Sequence, residues 1–152
     1  MTRINLVPVE NLADQHLFAE WREIKMVPAA LRRSLNTKSI STITNNIPKR
    51  YTLNTGHVTF FYDKMNFLTD RYELLTNELL TRRYNISTVE TFEDYTHSIP
   101  DAFKADNWTP DREEILINVE RISKRISERP NWYRYYGELV EDGYFDAIYS
   151  TI

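Results

Sequence analysis

Apolar and polar positions along this chain form three stretches of helical spacing separated by stretches with no period. Between Asn11 and Leu35, the side chains of Leu12, Ala13, Leu17, Ile24, Val27 and Leu31 fall on one arc when successive residues are set about 100° apart. Asn11 is the expected cap of this first helix, and Pro28 is expected to kink it by deleting a backbone hydrogen bond. Met65, Leu68, Tyr72, Leu75 and Leu79 recur at steps of three and four and predict a second helix stopping near Tyr84-Asn85. A third is expected to open at Thr109-Pro110. Its Asp111, Glu113 and Glu114 suit the positive end of the dipole, Ile115, Val119, Ile122 and Ile126 form its apolar stripe, and Pro130 ends it.

The intervening stretches lack that order. Residues 36–55 are polar with Pro48, leaving Lys49 and Arg50 free for an anionic partner, and residues 86–108 are acidic with Pro100. Residues 56–62 form a short aromatic run whose period does not separate strand from buried helix or coil. The expected fold is all-α, one compact domain of three main helices with long irregular connections.

Three polar side chains sit where the first helix should be apolar. His16, Glu20 and Glu23 fall inside its apolar arc, although an unpaired carboxylate on a buried face costs several kcal/mol. Two explanations stand. Either basic side chains or backbone amides satisfy these groups in the core, or the carboxylates move protons in a site. The second draws weight from the beginning of the chain. Thr2 is small enough for removal of the initiator methionine, which would free an α-amine with a pKa of about 7.7–8.0, a partly unprotonated nucleophile at neutral pH. Such an amine beside a half-buried carboxylate suits imine chemistry.

Composition narrows the class. The chain has 152 residues, 41% hydrophobic and 27% charged, as expected of one globular domain with a real core. It has no cysteine, which removes disulfides and thiolate metal sites, and only three glycines, with no phosphate-binding glycine loop. His16, His57 and His97 show no metal-ligand spacing. No apolar run is long enough to span a membrane and no signal peptide is visible, so a cytosolic location is expected.

The net charge of −3 disfavours a generic nucleic-acid binder until the charges are placed. Residues 1–50 carry eight basic against four acidic side chains and residues 121–137 carry five against one, whereas residues 138–152 carry four acidic and no basic. The two cationic segments would form one patch if the fold joined them; otherwise each is a solvated face. The run Trp132-Tyr133-Arg134-Tyr135-Tyr136-Gly137 interleaves aromatics with arginine, suited either to stacking on bases beside phosphates or to tying down the C-terminal segment by burying rings.

Four blocks of residues carry a resemblance to a known family. They are Met1-Thr2-Arg3-Ile4-Asn5-Leu6; Leu12 to Leu17 with Ala19-Glu20 and Arg22-Glu23; Gly56 to Lys64; and Arg129-Pro130 with Trp132-Tyr133 and Tyr135-Tyr136-Gly137. In order and content they resemble the pyrimidine-dimer DNA glycosylases, the family of endonuclease V of T-even bacteriophages. The resemblance implies an N-terminal segment threaded between the first and third helices, with a glycosylase-like domain over residues 1–137 and an acidic C-terminal extension over 138–152.

By that resemblance, the Thr2 α-amine attacks C1′ of the damaged nucleotide and Glu23 assists β-elimination at the resulting abasic site. Arg3, Gln15, His16, Arg22, Lys25, Arg121, Arg125, Trp132, Tyr133 and Arg134 are the expected DNA-binding residues. The implied partner is double-stranded DNA carrying pyrimidine dimers or abasic sites, kinked with a base extruded, and bound by a monomer without cofactor, metal or membrane. The chain departs from the family pattern after Glu23, with Lys25 and Met26 and a proline moved to 28. Two alternatives therefore stay open: an abasic-site lyase or altered-lesion enzyme, and a non-catalytic DNA-binding module of the same fold.

Overall fold

A computed structural model describes residues 3–105 and 108–152. The first expected helix is broken in two. A 3-10 turn at Val9–Asn11 leads through Ala13 into α1 (Asp14–Glu23), and after Ile24 and Lys25 the chain re-enters helix as α2 (Met26–Leu35). Asn11 thus closes the turn, and the residue at the cap position of α1 is Ala13. Pro28 sits in the first turn of α2, where its missing N–H would have had no helical partner, so the break falls before the proline.

The polar stretch after α2 contains a short helix, α3 (Ile40–Asn45), whose first turn is closed by Ser39 accepting the Thr42 amide. The aromatic run is also helical. Gly56, at φ +100°, opens α4 (His57–Phe60). The second long helix, α5 (Met65–Thr81), ends with Arg83 in the left-handed region. There the Tyr84 amide reaches the Leu79 carbonyl and the Arg83 amide the Leu80 carbonyl, so the stop lies just ahead of the expected one.

The described residues of the acidic stretch hold α6 (Glu93–Thr96) and a 3-10 turn at Asp101–Phe103. The third long helix, α7 (Arg112–Glu128), is capped by Asp111, which accepts the Glu114 amide while Glu114 accepts the Asp111 amide; the cap lies two residues beyond Thr109. Arg50 is not free, because it reaches Asp111 at 2.6 Å and Glu113 at 3.6 Å.

The aromatic-arginine run forms a hairpin of β1 (Arg134–Tyr135) and β2 (Glu138–Leu139). Its turn residues Tyr136 and Gly137 both take positive φ, the backbone hand that matches strand twist. The chain closes with α8 (Asp142–Tyr149), which buries Ile148 completely and packs against α7. The Ala13 amide donates to the Tyr144 hydroxyl at 3.1 Å.

Leucines of α1 and α5 join Val119 and Ile122 of α7, with Phe60, Phe61 and Phe103, in one core. Ile4 and Val7 are fully buried. The backbone of this N-terminal segment lies between the expected helices: the Leu6 and Val7 amides donate to Asn118 Oδ1 of α7 at 2.7 and 3.1 Å, and Asn5 donates to Glu20 of α1 at 2.8 Å. From α5, Arg71 donates to the Val7 carbonyl at 2.8 Å. The fold is all-α with the N-terminal segment threaded between α1 and α7. Among the described residues no helix is long and apolar enough to cross a membrane.

Candidate active site

Where the N-terminal segment passes between α1 and α7, the surface opens into a cleft of about 260 Å³. His16, Ala19, Glu20 and Glu23 occupy positions i, i+3, i+4 and i+7 of α1, so one helical face presents all of them to the cleft. Arg121 and Arg125, four apart on α7, face them, and Arg3, Asn5, Leu53, Ile122 and Tyr133 complete the wall. The cationic segments at the two ends of the sequence therefore meet.

The two carboxylates of α1 are bound differently. Glu20 is 1% exposed, and Arg71 grips it through Nε to Oε2 at 2.7 Å and through Nη2 to Oε1 at 3.1 Å, with Asn5 donating to Oε1 as well. Every oxygen of Glu20 is committed to holding the N-terminal segment on α1 and α5. Glu23 is half-buried at the same cleft, and among the described residues no side chain binds its carboxylate. Two acids one turn apart thus differ in kind: one is structural and the other is available to a ligand.

The remaining electrostatics favour an anion. Burial first, then Arg125 and Arg121, pushes the His16 imidazole down to about 4, so its ring is neutral at pH 7 and rests against Tyr133 at 4.7 Å. Its Nδ1 is buried with no hydrogen-bond partner among the described residues. Burial and the neighbouring Arg125 and Arg3 likewise lower the pKa of Arg121. Like charges crowded at one opening cost energy that a bound polyanion would relieve. Among the described residues no three His, Asp or Glu side chains come together as a metal site.

Other expected DNA-binding residues lie beside the cleft or away from it. Gln15 donates through Nε2 to the Trp132 carbonyl at 2.7 Å and accepts the Arg134 amide at 3.0 Å, so its amide ties the hairpin to α1. Trp132 is 49% exposed under the Arg129 guanidinium, and Arg134 donates to the Gly137 carbonyl at the hairpin turn. Arg22 is exposed near the Phe18 ring, and Lys25 lies 5.7 Å from the Tyr95 ring; neither lines the cleft. Thr2 lies outside the described residues. Asn118, Arg71 and His57, which hold the N-terminal segment, do not stand out in the sequence as site residues. An arginine beside the apolar stripe of α5 is the one available sign of a buried counter-ion.

A family model described as pyrimidine dimer DNA glycosylase matches residues 1–91. The chain belongs to that family. The matched stretch holds the N-terminal segment, α1 with Glu23, and α5 with Arg71; Arg121, Arg125 and the hairpin lie past its end. Membership makes this protein a DNA-repair glycosylase acting on DNA.

Proposed function

We propose that this glycosylase excises pyrimidine dimers from double-stranded DNA with the Thr2 α-amine as nucleophile and Glu23 as the proton-transfer group, and then cleaves the abasic site it has made. The observation that carries this reading is that Arg3, bonded directly to Thr2, lines the same cleft as a carboxylate no described residue claims. Loss of Met1 exposes the amine. Guanidinium groups of Arg3, Arg121 and Arg125 around the cleft disfavour an ammonium there and so favour the reactive free amine.

The chemistry balances without a cofactor. The amine nitrogen bonds to C1′ as the C1′–base bond breaks, and the departing pyrimidine takes the electron pair and a proton. The sugar ring opens as the C1′–O4′ bond breaks: O4′ takes that electron pair and a proton from Glu23, and the nitrogen lone pair forms an iminium at C1′. Glu23 removes a proton from C2′, the electron pair forms the C2′–C3′ double bond, and the 3′ phosphate leaves as the C3′–O bond breaks. Water then hydrolyses the imine and frees the amine. Arg121 and Arg125 hold the phosphates, and Trp132, Tyr133 and Arg134 bear on the strand beside the kink where a base is extruded by a monomeric protein.

Borohydride trapping tests this reading. Reduction in the presence of abasic-site duplex should join protein to DNA covalently, and the adduct should vanish when the N-terminus is acetylated. An acetylated protein that still gives the adduct would eliminate Thr2. Lys25 favours a narrower second reading, a lyase acting on abasic sites alone, because the cation that follows Glu23 faces Tyr95 rather than the cleft. Equal trapping on abasic DNA with no cleavage of dimer-containing duplex would select it.

A further inference from the structure

The Ile4 backbone, two positions after Thr2, is held at both its N–H and its carbonyl by residues outside the cleft. Its N–H donates to His57 Nε2 at 2.8 Å, and its carbonyl accepts the Tyr51 hydroxyl at 2.8 Å. His57 is 1% exposed, and its Nδ1 lies 2.7 Å from the Thr52 carbonyl. A carbonyl only accepts, so Nδ1 carries the proton and Nε2 offers a lone pair to Ile4; the ring is fixed as one neutral tautomer. Tyr51 is anchored in turn, since its amide donates at 2.8 Å to Glu114, the residue that closes the capping box of α7. Gly56 sets the angle at which α4 delivers the imidazole, because a Cβ there would meet Pro48 Cγ at 3.0 Å and φ is +100°.

We propose that His57 is a positioning residue for the amine chemistry: by accepting the Ile4 amide it fixes how far, and in what direction, the N-terminal segment carries its terminal nitrogen into the cleft. This inference rests on the assignment of Thr2 as nucleophile. Downstream of Ile4 the segment is tied to α1, α5 and α7 through Asn5, Leu6 and Val7. The Ile4 hydrogen bonds add two ties on the terminal side of these, close to the reactive end. A terminal amine needs its attack distance set to a fraction of an ångström, and slack one or two residues away removes that control without touching DNA affinity. The groups facing His57 are Arg3 of the N-terminal segment, Arg121 of α7, the Tyr51 and Phe61 rings and the Thr52 carbonyl. Burial first, and then the two guanidiniums, oppose an imidazolium there and so keep Nε2 an acceptor.

The test compares His57→Phe, which fills the space without an acceptor, with His57→Gln, whose amide oxygen can replace Nε2. Thermal unfolding confirms that each is folded. Single-turnover borohydride trapping at saturating abasic duplex is then measured beside the DNA dissociation constant and hydrogen exchange at the Ile4 amide. His57→Phe should lose tenfold to a hundredfold (on the order of what a 1 Å misplacement costs) in trapping rate. Its DNA affinity should stay unchanged while Ile4 exchange accelerates, and His57→Gln should restore both readouts. A folded His57→Phe that traps at the parental rate overturns the positioning role and leaves the Thr2 assignment intact. So does a folded His57→Gln that protects Ile4 yet fails to recover the rate. No adduct from the parental protein brings down both.

Discussion

Asp14 and Arg82 join the start of α1 to the turn of the C-terminal hairpin. Arg82 Nη1 donates to Asp14 Oδ1 at 2.9 Å, the same carboxylate accepts the Tyr136 and Gly137 amides at 3.1 and 2.8 Å, and the guanidinium lies 4.8 and 4.7 Å from the Tyr135 and Tyr136 rings. Arg82 also donates to the Leu12, Val9 and Glu10 carbonyls, so one buried cation supports the approach to α1 and the hairpin that presents Tyr133 to the cleft.

Arg82→Met is therefore expected to cost about 3–5 kcal/mol, because it strands a buried carboxylate and three carbonyls. A urea titration measures this. A loss below about 1 kcal/mol would mean that water replaces the guanidinium at no great cost.

Glu20 and Glu23 should respond in opposite ways. Glu20→Gln breaks the grip of Arg71 and is expected to lower stability by about 3 kcal/mol. Glu23→Gln should leave stability within about 0.5 kcal/mol and retain DNA binding while abolishing strand cleavage. Paired unfolding and cleavage assays decide this, and a fully active Glu23→Gln would remove Glu23 from the chemistry.

Acid should weaken the fold through His57. Burial first, then Arg3 and Arg121, holds its pKa down to about 4 against an ordinary 6.5, although the Thr52 carbonyl works the other way. Between those values the unfolded chain binds a proton that the folded chain refuses, so stability is complete above about pH 6.5 and falls toward pH 4. The loss from this group is on the order of 3 kcal/mol, and His16, also lowered to about 4, adds in the same direction. Denaturation midpoints at stepped pH should fall less steeply for His57→Gln; identical slopes would show that the acid sensitivity arises elsewhere.

Arg125→Ala should weaken DNA binding to a similar extent across sequences and reduce the slope of log affinity against log salt by about 0.9 for each phosphate that the guanidinium neutralises. Binding isotherms at several salt concentrations test it, and an unchanged slope would place Arg125 away from the phosphates.

Much of the fold is legible in residue spacing. The stripes of α5 and α7 come from a period that only a helix satisfies, and Pro130 stops α7 for a local reason. What stays hidden depends on partners distant in sequence. Nothing in residues 56–62 separates strand from helix, because four residues hold little more than one turn; α4 follows from Gly56 and from His57 having Ile4 to bind. The break before Pro28 is masked because the apolar arc continues across Ile24 and Val27, which are buried on both sides of it. The hairpin needs Tyr136 at positive φ, a strained choice for a tyrosine that the Asp14 carboxylate supports from 122 residues away.

The sequence alone determined the helical stripes, the two cationic segments and the candidacy of His16, Glu20 and Glu23, because period and charge are local properties of a chain. Spacing did not separate the acids, since Glu20 and Glu23 share one arc, and Glu23 was favoured only by the family resemblance. Tertiary structure separated them by bringing Arg71, 51 residues from Glu20, against one carboxylate and leaving the other at the mouth of a cationic cleft. A buried charge keeps its ionised form only where an opposite charge reaches it, and which residue reaches it is settled by packing in three dimensions.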